Sequence, residues 1–183
     1  MKQLSLVSVI VVIVLILDQF TKWLVASTMQ VGQSIYPIPA LDFFSITFVT
    51  NTGVAFGLFR DAGVIFAIVS IVVIVVVVRY LRHLPPGQWL MRVALSLVLA
   101  GAIGNLIDRL RQGYVIDFVA VAWWPKFNVA DAAIVLGVGL LTLGMLLDSR
   151  RSSPHGETIH PGHDAWRAAD SPPESRERRE TRS

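Results

Sequence analysis

Residues 101–131 read GAIGNLIDRLRQGYVIDFVAVAWWPKFNVAD, and two long apolar runs flank them. The stretch concentrates Asn105, Asp108, Arg109, Asp117, Asn128 and Asp131. An ionisable side chain at the centre of a membrane helix costs about 2.5–3.5 kcal/mol on insertion scales. A chain that gathers several of them beside hydrocarbon is using them. The reading of the flanks as membrane spans therefore decides the fold.

Working outward, Leu90–Leu110 and Ala130–Leu147 are both long enough to cross a bilayer as helices, which takes about 20 residues. Gly137 and Gly144 share one face of the latter run, which suits close helix packing. Val64–Val78 is β-branched but too long for a strand, and gives another span. Leu4–Leu17, continuing to Ser27, begins like a signal peptide. It runs on through Asp18-Gln-Phe-Thr-Lys22-Trp23 with no clear small-x-small cleavage site, so we read a retained first span closed by Trp23 at the interface. Between the first two spans the texture changes. Phe44, Ile46 and Phe48 alternate with Ser45, Thr47 and Val49, a period of two that predicts a strand, and Asn51-Thr-Gly53 predicts a turn.

The expected fold is an all-α polytopic membrane protein: four transmembrane helices with a small periplasmic β-element, about residues 30–61, on the membrane surface. Residues 1–148 form the membrane domain. The tail at 149–183 carries seven Arg against six Asp or Glu with repeated Pro and Ser, and reads as a disordered, charged cytoplasmic segment. Four spans place both termini on one side. Lys2, Arg79, Arg82, Arg92, Arg150 and Arg151 fall on the terminal side, against Lys22, Arg60, Arg109, Arg111 and Lys126. The positive-inside bias puts the termini in the cytoplasm and the Asp117 loop outside.

Composition agrees and excludes other chemistry. The 183 residues are 54% hydrophobic, with a mean hydropathy of +0.60, too apolar for an ordinary soluble domain. With no cysteine, thiolate nucleophiles, disulfides and Cys-ligated zinc are ruled out. His83, His155, His160 and His163 all lie outside the apolar runs, so no His-based triad operates within the membrane. His160-x-x-His163 is an isolated pair in the tail and gives no metal site. A net charge of +3 without a basic patch offers nothing to nucleic acid. Ser96 has no Lys or His in sequence reach, and Ser27 lies five residues from Lys22, a poor helical match for a Ser–Lys dyad.

Asp117, between Ile116 and Phe118, and Asp131, at the start of the fourth span, remain as the catalytic pair. Two carboxylates at a dehydrated surface share one proton, so one activates water while the other protonates a leaving amine. That is aspartic-peptidase chemistry and requires no metal or cofactor. Asp131 also answers Asn128 as in a helix capping box, which is compatible with catalysis because a capped helix start fixes the carboxylate's direction. Asp117 as a solvated loop aspartate is the plainer alternative. Asn105, Asp108 and Arg109 share a helix face with Gly101 and Gly104, and either orient the aspartates or form an ion pair at the helix end. Asp18 and Lys22, four residues apart, make a similar pair on the first span. Rival readings are a proton-coupled transporter, a structural adaptor in which the aspartates only cap helices, and a two-carboxylate metal hydrolase.

Taken together, Asp18-Gln-Phe-Thr-Lys22, Asn51-Thr-Gly-Val-Ala-Phe-Gly57, Gly104-Asn-Leu-Ile-Asp-Arg109, Val115-Ile-Asp-Phe118 and Phe127-Asn-Val-Ala-Asp131 resemble bacterial lipoprotein signal peptidase, or signal peptidase II. The motifs fall in order between correctly spaced spans, and the resemblance covers Leu15–Leu147. It implies a membrane-embedded aspartic peptidase of the bacterial inner membrane that cleaves prolipoproteins just before a diacylglyceryl-modified cysteine. The implied catalytic residues are Asp117 and Asp131. The implied substrate-binding or supporting positions are Asp18, Lys22, Asn51, Gly104, Asn105, Asp108, Arg109, Asn128 and Ala130. The implied partners are lipidated prolipoproteins and membrane lipids, with no metal or cofactor, and nothing demands more than a monomer. A periplasmic β-cradle corresponds to Pro37–Val49 and a mobile helix to Ala55–Asp61. Trp123-Trp124-Pro125 anchors the rim at headgroup level, and the Phe43–Val49 strand offers an edge for extended substrate.

Overall fold

The computed structural model describes residues 2–38, 40–53 and 62–151. The expected helix at Ala55–Asp61 and the tail beyond Arg151 lie outside them. The chain divides after Asp148 into two units, and the first holds the elements that build the site. Among the described residues, the helices are α1 (Lys2–Thr28), α2 (Ala62–His83), α3 (Trp89–Gln112) and α4 (Val129–Arg151). The strands are β1 (Ser34–Ile35), β2 (Phe44–Asn51) and β3 (Val115–Val121). Each expected span is present as a helix long and apolar enough to cross a membrane. At a rise of about 1.5 Å per residue, helices of this length match a hydrocarbon core of about 30 Å.

The bundle is arranged around α3. Ala94, Ala100, Gly101, Ala102 and Gly104 are buried along it, and small side chains let neighbouring backbones approach closely. Leu95, Val98 and Leu99 form a core with Val77 of α2, and Val11 of α1 and Leu141 of α4 pack against it. Outward faces are apolar instead of charged: Val12 and Ile16 on α1, Val72 and Val76 on α2, and Val135 and Leu136 on α4 are all exposed. Apolar surface on that scale belongs against lipid. Gly137 meets the close-packing expectation, since a Cβ there would lie 2.6 Å from the carbonyl oxygen of Ala94. Gly144 does not, because a Cβ there would find its nearest neighbour, Leu90 Cδ2, at an ordinary 3.6 Å.

Two turns fix the ends of α3. Arg92, counted from sequence among the terminal-side charges, folds inward and donates through Nη2 to the carbonyls of Leu84 (2.6 Å) and Pro85 (3.2 Å). It thereby satisfies acceptors just past the end of α2. At the other end Gly113 adopts φ 82°, and its N–H returns to the Arg109 carbonyl. That left-handed cap turns the chain directly into β3.

The β-element is a three-stranded antiparallel sheet in the order β1-β2-β3. This corrects two expectations. The segment around Asp117 is a strand and not a loop, and the β-element is not confined to residues 30–61. Val115–Phe118 is buried throughout, so the strand lacks the polar alternation that marks a half-exposed one. The strand at Phe44–Asn51 is central: Ile46 and Thr47 pair with β1 on one side, and β2 pairs along its length with β3 on the other. It therefore has no open edge at Ile46–Thr47 for a substrate to join. One face of the sheet closes on the end of α1, where Phe48, Ile116 and Phe118 pack with Val25 and Met29.

Candidate active site

The site forms where β3 and the N-terminus of α4 meet α1 and α3. Its α4 portion is a complete capping box. The Asp131 N–H donates to Asn128 Oδ1 at 2.9 Å, and the Asn128 N–H donates to Asp131 Oδ2 at 3.3 Å. The sequence anticipates this arrangement, which fixes both side chains at the head of the helix.

Asp117 is 2% exposed. Asn51 at the end of β2 stands opposite Val115, one diagonal step from Asp117 on the same face. Its Nδ2 donates to Asp117 Oδ2 at 2.8 Å, while its own Oδ1 accepts the Gly53 N–H at 2.8 Å. Asn128 Nδ2 donates to Asp117 Oδ1 at 2.8 Å, with Asn105 Oδ1 and the Ile116 carbonyl each 3.2 Å away. Asn105 Nδ2 donates to Asp131 Oδ1 at 2.7 Å. Asn128 and Asn105 thus tie both carboxylates into one unit. Burial pushes the Asp117 carboxyl up to about 6, and the charge of Asp131 adds in the same direction against the amide hydrogen bonds and Lys22.

Beneath this pair lies a buried charge cluster. Lys22 Nζ contacts Asp18 Oδ2 at 2.8 Å, Asp108 Oδ2 at 2.9 Å and Asn105 Oδ1 at 3.1 Å. Asp18 Oδ1 accepts the Ala130 N–H at 2.9 Å, so α1 also caps α4. Asp108 Oδ2 accepts the Ile116 N–H at 3.3 Å and so holds β3. Gly104 is required where it stands, because a Cβ there would sit 2.6 Å from Asp18 Oδ2.

The ion pair between Asp108 and Arg109, the alternative to an orienting role, is not among those formed by the described residues. Successive helix residues point about 100° apart, so Asp108 turns to α1 while Arg109 turns elsewhere. Arg109 Nη1 donates to the Asn105 carbonyl at 3.3 Å, and its guanidinium lies 5.5 Å from the centroid of the Phe66 ring on α2. Sequence reasoning missed Gln19. Its Nε2 lies 3.1 Å from both Asp18 Oδ2 and Asp108 Oδ1, bridging α1 and α3. The available signal was a second polar residue beside Asp18 in an otherwise apolar helix.

Asp131 opens onto an apolar groove of about 550 Å³, lined by Trp124, Phe127, Ala132, Val135 and Leu136 among others. Asp131 and Lys126 are the charged groups of its lining, and the other lining residues are apolar. Trp123 and Trp124 are both exposed beside it, as interfacial anchors should be.

Residues 10–147 match the family described as signal peptidase (SPase) II. The chain belongs to that family. The lipoprotein signal peptidase of Symbiobacterium thermophilum is 42% identical over 149 residues, covering 79% of this chain and 97% of its own. That of Geobacter sulfurreducens is 45% identical over 148 residues, covering 76% and 91%. Among solved structures, a bacterial membrane enzyme determined by the in meso method superposes with a TM-score of 0.75 at 34% identity, covering 83% of this chain and 94% of its own. A second, described in the same way, gives 0.74 at 36%, covering 79% and 94%. The matched region contains every polar group described above, and it makes this multi-pass bacterial membrane protein a signal peptidase.

Proposed function

We propose that this enzyme removes the signal peptide from diacylglyceryl-modified prolipoproteins, cutting just before the lipidated cysteine, and that Asp117 and Asp131 are its catalytic residues. One observation carries the reading: Asn128 donates to both carboxylates, through Nδ2 to Asp117 and through its backbone N–H to Asp131, beside a mostly apolar groove that shares Asp131. A lipidated signal peptide is itself a membrane segment, so it reaches such a groove laterally. Water comes from the headgroup side.

The reaction uses one ionised and one protonated carboxyl group. The carboxylate takes a proton from water, and the hydroxide oxygen bonds to the scissile carbonyl carbon. In the same step the carboxylic acid gives its proton to the carbonyl oxygen. The diol then collapses: the C–N bond breaks, the leaving nitrogen takes the proton collected from water, and the acid recovers its own from a diol hydroxyl. Both carboxyl groups return to their starting states, and no metal or cofactor takes part. Asn51, Asn105 and Asn128 hold the pair, and Asp18, Lys22, Asp108, Gly104 and Ala130 hold those asparagines and the head of α4. Arg109, braced against the site through the Asn105 carbonyl, supports substrate backbone.

Orientation follows the same logic. We place both termini in the cytoplasm and the dyad near the outer face of the inner membrane. Lys22 is spent inside the protein on Asp18 and Asp108 at the dyad end, and Arg92 on the Leu84 and Pro85 carbonyls at the other, so the bias rests on Lys2, Arg79, Arg82, Arg150 and Arg151 against Arg60, Arg109, Arg111 and Lys126. The enzyme acts on membrane-borne substrate as a monomer.

The deciding experiment is cleavage of a purified diacylglyceryl-modified prolipoprotein in detergent with EDTA present. Wild type should cleave, and Asp117→Asn and Asp131→Asn should each lose at least about a thousandfold, the scale of removing an essential proton-transfer group. Either variant retaining near wild-type cleavage while folded would remove that aspartate from the mechanism. Loss of wild-type cleavage in EDTA would point instead to a metal-dependent hydrolase.

A further inference from the structure

The hydrogen bonds of the site run in one direction, and at Asn105 the charged donor that sets it is Lys22, joined at 3.2 Å by Asn128 Nδ2. An ammonium group donates and never accepts. Asn105 must therefore turn Oδ1 to Lys22 Nζ, 3.1 Å away, which commits its Nδ2 to Asp131 Oδ1 at 2.7 Å. The backbone N–H of Asp131 is also donor-only, so it fixes Asn128 Oδ1 and commits Asn128 Nδ2 toward Asp117 Oδ1. The Gly53 N–H fixes Asn51 in the same way, toward Asp117 Oδ2. Each of the four oxygens of the pair receives one N–H whose direction is imposed from outside it.

The two carboxyl groups are not equivalent in this frame. Asp131 is the third residue of α4, where the positive end of the helix favours negative charge, and it is partly exposed to the groove. Asp117 sits on a strand, 2% exposed, with no helix end behind it. Among the described residues, the charged groups around the pair are Asp18 and Lys22 from α1, Asp108 and Arg109 from α3, and Lys126 from the connection between β3 and α4. From α2, Phe66 contributes a ring against Arg109.

We infer that Lys22 is a positioning residue: by fixing the direction of the Asn105 amide it keeps Asp131 the ionised member that accepts the proton of water and leaves the proton of the pair on Asp117. This rests on the dyad reading above. Lys22 does so without touching either carboxylate of the pair, through one amide; its charge also acts directly on Asp117, in the lowering direction, so Lys22→Gln moves the alkaline limb up as well. Arginine in its place is also donor-only and preserves the direction. Glutamine offers an acceptor, so only the 3.2 Å contact from Asn128 Nδ2 still opposes Asn105 turning Oδ1 to Asp131, and a turned amide makes Asp131 resist ionisation.

The test is the pH profile of kcat/KM and the separate kcat and KM values for cleavage of a diacylglyceryl-modified prolipoprotein in detergent. Wild type, Lys22→Arg and Lys22→Gln are compared, with thermal unfolding as the check on folding. Lys22→Arg should keep the wild-type limbs. Lys22→Gln should move the acid limb, which reports ionisation of the base, up by about one pH unit or more, with kcat down about tenfold and KM within about twofold. A Lys22→Gln profile that is merely lower, with unmoved limbs, overturns the inference. So does a Lys22→Arg profile displaced as far as that of Lys22→Gln. If Lys22→Gln fails to fold, Asn105→Leu reads the same link, since it removes the amide between Lys22 and Asp131 without adding a charge; an unmoved acid limb there overturns the inference equally. Cleavage surviving in Asp117→Asn or Asp131→Asn defeats the dyad reading itself, whereas two dead aspartate variants with unmoved Lys22→Gln limbs defeat only the role of Lys22.

Discussion

At the scale of single residues the sharpest consequence concerns Asp117. Its carboxyl titrates near about 6, above the usual carboxylate range, because it is buried and because Asp131 stands beside it. A raised folded-state value means that the native protein binds the proton more tightly than the unfolded chain. The associated stability is fully present below about pH 4 and is lost as pH rises through about 6. The thermal midpoint of wild type relative to Asp117→Asn should therefore fall across that window; a difference that grows with pH would contradict the assignment. Asp131→Asn removes one of the raising influences, so Asp117 should titrate lower in that variant, as carboxyl-carbon NMR on labelled protein would read directly. On the proposed mechanism the same group should set the alkaline limb of kcat/KM in the free enzyme.

At the scale of elements, packing around α3 separates glycines that look alike in sequence. Gly137→Ala drives a methyl into the Ala94 carbonyl and should cost about 1–3 kcal/mol of stability, as overpacking does. Gly144→Ala meets only ordinary contacts and should be neutral or slightly stabilising, since alanine favours helix over glycine by about 1 kcal/mol. Thermal unfolding in detergent distinguishes them, and equal losses would sink the distinction. The same periodicity argument found the capping box of α4 but not β3. A capping box is local, with its residues three apart in the chain, so sequence displays it. A strand buried on both faces shows only a short apolar run, which period-two reasoning cannot recognise.

At the scale of the molecule the claim is an orientation, and the absence of cysteine makes it easy to test. Trp123, 86% exposed at the dyad end, and Arg82, exposed at the end of α2, lie at opposite ends of the bundle. Trp123→Cys should react with a membrane-impermeant maleimide in intact cells once the outer barrier is opened. Arg82→Cys should react only after lysis, and the reverse pattern would invert the topology.

The sequence alone determined the four spans, the strand at β2, the capping box, the polar motifs and the family they resemble, because each depends on composition or on spacing within a few residues. It also named Asp18, Lys22, Asn105, Asp108, Asp117, Asn128 and Asp131, since charge beside hydrocarbon is conspicuous. It paired Asp18 with Lys22 and Asn128 with Asp131, both close in the chain, but not the others. Asp108 chose Lys22 over its neighbour Arg109, Gln19 joined Asp18 to Asp108, and Asn51 reached Asp117 across the sheet. Those choices join residues up to 112 positions apart, as Asp18 and Ala130 are. Only tertiary structure decides them, because a buried donor or acceptor takes the partner that packing brings within about 3 Å, whatever its distance along the chain.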